Sequence, residues 1–435
     1  MDYITDKNGN YEFPVAGMLK VFLQDCPDHG ELNRAWNMAF KAGLKGKIDL
    51  AKLERALNRV IQEHDAMRAS YSRKGDEYYI RVRKSYKATL KIETVNGATL
   101  EERKQEADRL IEEFAAEPIN IYETVGYRIR IYQVDEEEYV MALNFQHALT
   151  DGASIAMMVG TWLAYYENED IVILQSKGTF LDYASEEYNY LHSQDSQEEK
   201  KYWEDTYEGY VNEKYEVDEQ AELLKACNIS NMILNKDKLE VIARKNKTSV
   251  FNIVMMIYAM AIAKIENRND VSIAFMLASR DKEEYRTTYG LITRTTNIRH
   301  QFEDEDVIGN MYPKFRTEIM KAVMNYRSSS DYIYDGYVIA YQNQNEGFEL
   351  PTFEGNPITL NLVTQARPAN WMVIRVNEYM GKVISCYECD TRKHKPDYLE
   401  KLKLAGEEAQ DFILNRPECT FSDYIGKREE EIIEF

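Results

Sequence analysis

In the stretch FQHALTDGAS, residues 145–154, a histidine stands four positions ahead of an Asp-Gly pair: His147, then Asp151 and Gly152. A neutral imidazole can take a proton from an amine or a hydroxyl, which is the work of a general base. A carboxylate four residues on has three uses: partner of the imidazole, N-cap of a following helix, or half of a buried ion pair. The glycine after it lets the backbone reverse tightly. Asp-Gly before a helix is also ordinary turn chemistry, and a lone histidine often only packs. The motif by itself leaves both readings open.

The elements around the motif would present such a side chain at a strand-to-helix crossing. EEYVMALN, just upstream, alternates like a strand, and ASIAMMVGTWLAYY, just downstream, reads as a helix. Before them, GYRIRIYQV pairs with the motif strand as a hairpin turning at Asp135–Glu138. LKGKIDLAKLERALNRVIQEHDAMRASY (44–71) predicts a short extended piece and then a helix. TLEERKQEADRLIEEFAAEP (99–118) predicts an amphipathic helix ending at a proline. Residues 178–209 read as a hinge-like passage. Beyond it, residues 236–280 predict a helix, a Thr248 N-cap, a buried helix and a strand. At 435 residues the chain exceeds the size at which one core keeps growing, so two lobes are expected, 1–177 and 178–435. Strands and helices alternate without a regular βαβ rhythm, which predicts a mixed α/β architecture.

Composition removes several classes. A formal net charge of −20 argues against nucleic-acid binding, and the basic runs at 81–91, 243–247 and 391–395 read as solvated faces. The N-terminus MDYITDKNGNYEF lacks the basic and apolar regions of a secretory leader. VFNIVMMIYAMAIA (250–263) is too short to span a bilayer and reads as a buried helix. Five scattered cysteines, with Cys386 and Cys389 in a C-x-x-C that lacks a second ligand pair, predict no metal site. They look reduced and incidental, and the expected compartment is cytoplasmic.

Several further segments, in order, carry a resemblance. QHALTDG (146–152), GKIDLAKLERAL followed by EHDAMRASY (63–71), KKYWEDTYEG (200–209), DVSIAFMLASR (270–280) and GLITRTTNIR (290–299) resemble the motifs of condensation domains of nonribosomal peptide synthesis. These belong to the wider chloramphenicol acetyltransferase-like superfamily. The resemblance runs from about residue 40 to about 415. It implies two acetyltransferase-like lobes in a V, with the active site at their junction, and acyl transfer from a thioester. The donor would sit on the phosphopantetheine arm of a carrier protein or on coenzyme A, with no tightly bound cofactor. His147 would position or deprotonate the nucleophile. Asp151 would point away from the imidazole and pair with Arg280, and the Gly152 amide would help to hold the oxyanion.

The sequence departs from that pattern in places. Gln146 replaces the first motif histidine, and the N-terminal element is faint in VAGMLKVFLQ (15–24). Arg294 replaces an asparagine and would place a charge near the lobe junction. His64 and Arg68 read as packing and hydrogen-bonding residues, Trp371 as core or as lining of a substrate tunnel, and His394 as exposed. With no adenylation or carrier domain in the chain, a carrier protein would act in trans. Three readings follow. The first is a free-standing condensation-type enzyme that forms an amide on an amine acceptor. The second is a coenzyme A-dependent N- or O-acyltransferase on a small-molecule amine or alcohol. The third is a homologue that binds a carrier or partner without turnover.

Overall fold

The alternation on either side of Asp135–Glu138 forms a hairpin: Tyr127–Asp135 pairs antiparallel with Glu138–Gln146. The structure is a computed structural model that describes residues 4–5, 10–24, 26, 35–212, 215–332, 336–343, 351–369, 371–379 and 382–426. Much of the N-terminal stretch read for a leader therefore lies outside the described residues. The chain divides into two compact units. The first takes in 1–196, 278–294 and 348–365, and the second takes in 197–277, 295–347 and 366–435. This differs from a single cut at 177/178. The supposed hinge 178–209 is two helices, Phe180–Leu191 and Gln197–Tyr207, and the boundary falls between them. Phe180–Leu191 stays with the first unit because Asp65 accepts from the Phe180 and Leu181 amides at its N-terminus, at 3.0 and 2.8 Å.

In the first unit the motif strand Glu138–Gln146 lies inside a five-stranded sheet. The order is Asn361–Leu362, Asn37–Lys45, Glu138–Gln146, Tyr127–Asp135, Ile92–Thr94. Only the last pairing is parallel. The motif strand is buried on both faces over residues 141–146, which is why its sequence is continuously apolar there with Asn144 and Gln146 as exceptions. Buried Asn144 and Asn37 donate to the carbonyls of Phe114, Ala115 and Glu117, ending the helix Leu100–Ala116. At its other end that helix carries a capping box between Thr99 and Glu102.

The helix after the motif, Gly152–Glu167, is apolar almost all round and buries Ile155, Met158, Val159, Trp162, Leu163, Tyr165 and Tyr166. Trp162 donates its indole N–H to the Leu53 carbonyl at 2.9 Å, tying this helix to Leu50–Glu63. A second sheet, of four antiparallel strands, includes Ala69–Lys74 and Glu77–Val82.

The second unit is built on a mixed six-stranded sheet, with Tyr337–Asn343 parallel to both of its neighbours. Its core helix is Val250–Ile265, in which every residue from 253 to 263 is buried. The helix begins at Ser249, one residue after the expected Thr248, and the Ser249 hydroxyl accepts from the Asn252 amide at 3.1 Å. Ser249→Ala is expected to cost about 1 kcal/mol, read from a urea melt. Among the described residues, no single helix is long and apolar enough to cross a membrane.

Candidate functional site

The strand ends at Gln146 and the chain enters a single 3-10 turn, His147–Leu149. Three bonds fix that turn. The Gln146 side-chain oxygen accepts from the Ala148 amide at 2.6 Å, the His147 amide donates to the Trp36 carbonyl at 2.8 Å, and the Tyr71 hydroxyl donates to the Ala148 carbonyl at 2.6 Å. The imidazole is half-buried. Its Nδ1 lies 2.9 Å from the Thr150 carbonyl, an acceptor only, so Nδ1 carries the proton and Nε2 is the basic nitrogen. Phe22 packs tilted against the ring at 5.0 Å between centroids, and Trp36 meets it edge-on at 6.2 Å.

Phe22 and Trp36 were not singled out by the sequence reading. Phe22 belongs to the faint element 15–24, which folds as the helix Gly17–Gln24 and buries Met18, Leu19, Phe22 and Leu23. The four-residue spacing of that apolar face was the available signal.

Asp151 turns away from the imidazole. It is 1 % exposed, and its extended backbone makes it the N-cap of Gly152–Glu167, accepting from the Ser154 amide at 2.8 Å. Arg280 Nη2 donates to its two oxygens at 2.9 and 3.0 Å. The second oxygen also accepts from the amides of Ile292 and Thr293 at 3.0 and 2.9 Å, and from the Thr293 hydroxyl at 3.1 Å. Two of the uses open in the sequence, helix cap and buried ion pair, are met by one carboxylate. Burial pushes its pKa up, but the Arg280 charge and the hydrogen bonds from Ser154 and Thr293 outweigh that and hold it below the usual carboxylate value.

Asp151 thereby takes the amides of a strap, 290–293, that crosses the start of the motif helix. The Ser154 hydroxyl donates to the Gly290 carbonyl at 2.8 Å and accepts from the Gly290 amide and from Arg280. Arg294 takes the strap's carbonyls: Nη1 donates to Leu291 and Thr293 at 2.9 and 3.0 Å. Its other nitrogens form a bidentate pair with Glu187 at 2.6 and 2.8 Å. The charge expected at position 294 is thus 2 % exposed and neutralised inside the first unit. Gly290 has φ +147°, and a Cβ there would lie 2.2 Å from the Phe180 ring. Gly290→Ala is therefore expected to destabilise the chain by about 2–3 kcal/mol, measured as a lowered urea midpoint.

Gly152 corrects an expectation. Its backbone is not left-handed, and it is the first residue of the helix, so the turn does not need glycine's freedom. It is exposed, with no atom within 4 Å of where a Cβ would stand, so it borders open space. Its amide is one of the first-turn N–H groups that have no acceptor within the helix. The upstream element EHDAMRASY scaffolds the site. Arg68 donates to the carbonyls of Ile61 and Gln62 at the C-terminus of Leu50–Glu63, at 2.5 and 2.7 Å, and Tyr71 holds the motif turn.

Two buried histidines bear on pH. His64 stacks on Tyr289, with ring centroids 3.6 Å apart, and burial brings its pKa down to about 4. His394, expected to be exposed, is 4 % exposed, packed against Tyr215 and Tyr398, and likewise lowered to about 4 by burial. It precedes the helix Pro396–Asn415 and is held inward by its amide, which donates to the Asp390 carbonyl. Both rings stay neutral in the fold while the unfolded chain takes up protons below about pH 6.5. Stability is then expected to fall as pH drops from 6.5 towards 4, by up to about 3 kcal/mol per ring. Urea melts across that range should show a shallower slope for His64→Phe.

The family model for the Condensation domain matches residues 28–347. Bacitracin synthase 3 of Bacillus licheniformis is 21% identical over 335 residues, 75% of this chain and 5% of that protein. The chain thus spans a small part of that relative's length. Among solved structures, the complex of the X-domain and OxyB from teicoplanin biosynthesis gives a TM-score of 0.77 at 13% identity, covering 94% of this chain and 95% of that one. The starter condensation domain of rhizomide synthetase, a mutant in complex with C8-CoA and Leu-SNAC, gives 0.73 at 14%, covering 94% and 96%. At these identities the likeness shows the fold, which is the mixed α/β, chloramphenicol acetyltransferase-like kind.

Proposed function

Because the chain belongs to the Condensation domain family, we propose that it is a condensation-type acyltransferase that joins a thioester-bound acyl or aminoacyl donor to an amine. The observation that carries this reading is the hydrogen bond from His147 Nδ1 to the Thr150 carbonyl, which leaves Nε2 as the proton acceptor. The amine nitrogen attacks the thioester carbon, the C–S bond breaks, and the amine proton passes through Nε2 to the leaving thiolate. Thiolates leave readily, so holding the amine in line contributes more than basicity. Asp151 and Arg280 support the turn without touching substrate. The Gly152 amide, at the N-terminus of a 16-residue helix and beside open space, suits the oxyanion.

The donor thioester is carried on the phosphopantetheine arm of a carrier protein, which fits a cytoplasmic setting. A second reading, a coenzyme A-dependent acyltransferase acting on an amine or alcohol, is favoured by the C8-CoA in the rhizomide starter domain. The test offers acyl-carrier and acyl-coenzyme A donors with a panel of amines and alcohols, and mass spectrometry reads the products. An amide formed from carrier-bound donors supports the first reading, and product from coenzyme A donors alone supports the second. No product from either class of donor points to a partner-binding homologue.

A further inference from the structure

The C-x-x-C pair does not face one way. Residues three apart in an extended chain point to opposite faces. Cys389 turns into the apolar core of the second unit, while Cys386, in the strand Lys382–Glu388, stays half-buried. Its sulfur meets a cysteine from far away in sequence. Cys227, in the 3-10 turn Ala226–Asn228, is also half-buried, and the two sulfurs are hydrogen-bonded at 3.3 Å, 159 residues apart. Directly across the sheet from Cys386 stands Arg375, which also pairs with Glu388. Among the described residues no group of three or more His, Cys, Asp or Glu could hold a metal ion.

We propose that Cys227 and Cys386 form a reversible disulfide when the protein meets a hydroperoxide. With both thiols protonated, Cys386 donates to Cys227. Once Cys386 ionises the roles reverse, and the Cys227 S–H stabilises the thiolate. That hydrogen bond, aided by Arg375 and opposed by burial and Glu388, lowers the Cys386 pKa, while the same bond and burial raise that of Cys227. Cys386 is then the attacking sulfur. Its thiolate displaces hydroxide from hydrogen peroxide to give a sulfenic acid. The Cys227 sulfur attacks that centre, the S–O bond breaks, and water leaves with the Cys227 proton. Two thiols and one peroxide become one disulfide and two waters.

Closing the sulfurs to the roughly 2 Å of a disulfide asks for only about 1.3 Å of approach. The bond would staple the turn just before the strand Met232–Leu234 to the strand with which Met232–Leu234 pairs. Both cysteines lie in the second unit, and the motif lies in the first.

The experiment treats the full chain with hydrogen peroxide, blocks free thiols with N-ethylmaleimide, and reads intact mass and unreduced peptide maps. The expected result is the loss of two hydrogens, two fewer alkylated thiols, and a cross-linked peptide joining Cys227 to Cys386, all reversed by dithiothreitol. Cys227→Ser and Cys386→Ser should each abolish the cross-link, and Cys389→Ser should leave it intact. All five cysteines alkylated after peroxide, a link from Cys386 to Cys389, or Cys386 oxidised to sulfinic acid with Cys227 free would each overturn the proposal.

Discussion

His147→Ala is expected to lower the rate of product formation by about 10²–10⁴-fold while leaving the protein folded. The separation of effects follows from the bonds that the substitution leaves in place. The bond from Nδ1 to the Thr150 carbonyl contributes about 1 kcal/mol, and the turn keeps its bonds to Gln146, Trp36 and Tyr71. Single-turnover kinetics with a saturating donor would measure the loss, and a urea melt would check the fold. His147→Gln refines the result: a side-chain amide can hold an amine but cannot take its proton at neutral pH. Activity near wild type in the Gln variant would make positioning the whole contribution. Activity near wild type in the Ala variant would remove His147 from the reaction.

What could be read from the sequence was what local periodicity encodes. The motif strand, its hairpin and the helix Gly152–Glu167 follow from alternation, a turn and an apolar run. Two errors share one cause. Residues 178–209 look hinge-like because the helices there are polar, yet Phe180–Leu191 is anchored by the distant carboxylate of Asp65. His394 looks exposed because its neighbours in sequence are charged, yet Tyr215 and Tyr337, both distant in sequence, pack on it at 4.5 and 6.2 Å between ring centroids. No window of sequence contains such partners. Gly152 failed differently, since Asp-Gly suggested a conformational need and the backbone has none there. Arg294 looked like a stray charge until Glu187, on another element, supplied its bidentate partner.

Asp151→Asn is expected to destabilise the chain by about 3–5 kcal/mol, and its activity should follow the folded fraction. An aspartate at this position accepts on both oxygens, and every neighbour is a donor: the Ser154 amide and Arg280 on one side, the Ile292 and Thr293 amides on the other. An asparagine has one oxygen, so in either orientation its NH2 faces donors and leaves buried N–H groups unmade. It also leaves the Arg280 side chain, 11 % exposed, without its counter-charge. Arg280→Met removes the cation instead and should cost less in the Asn background than in wild type. A double-mutant cycle would read this as a coupling of about 1–3 kcal/mol. The pH dependence has a definite sign. The folded carboxyl titrates below its ordinary value, so its contribution is complete above about pH 3.9 and is lost as pH falls through the lower folded pKa. At neutral pH the contribution is therefore present in full, and a wild-type urea midpoint for Asp151→Asn would refute the support role assigned to the pair.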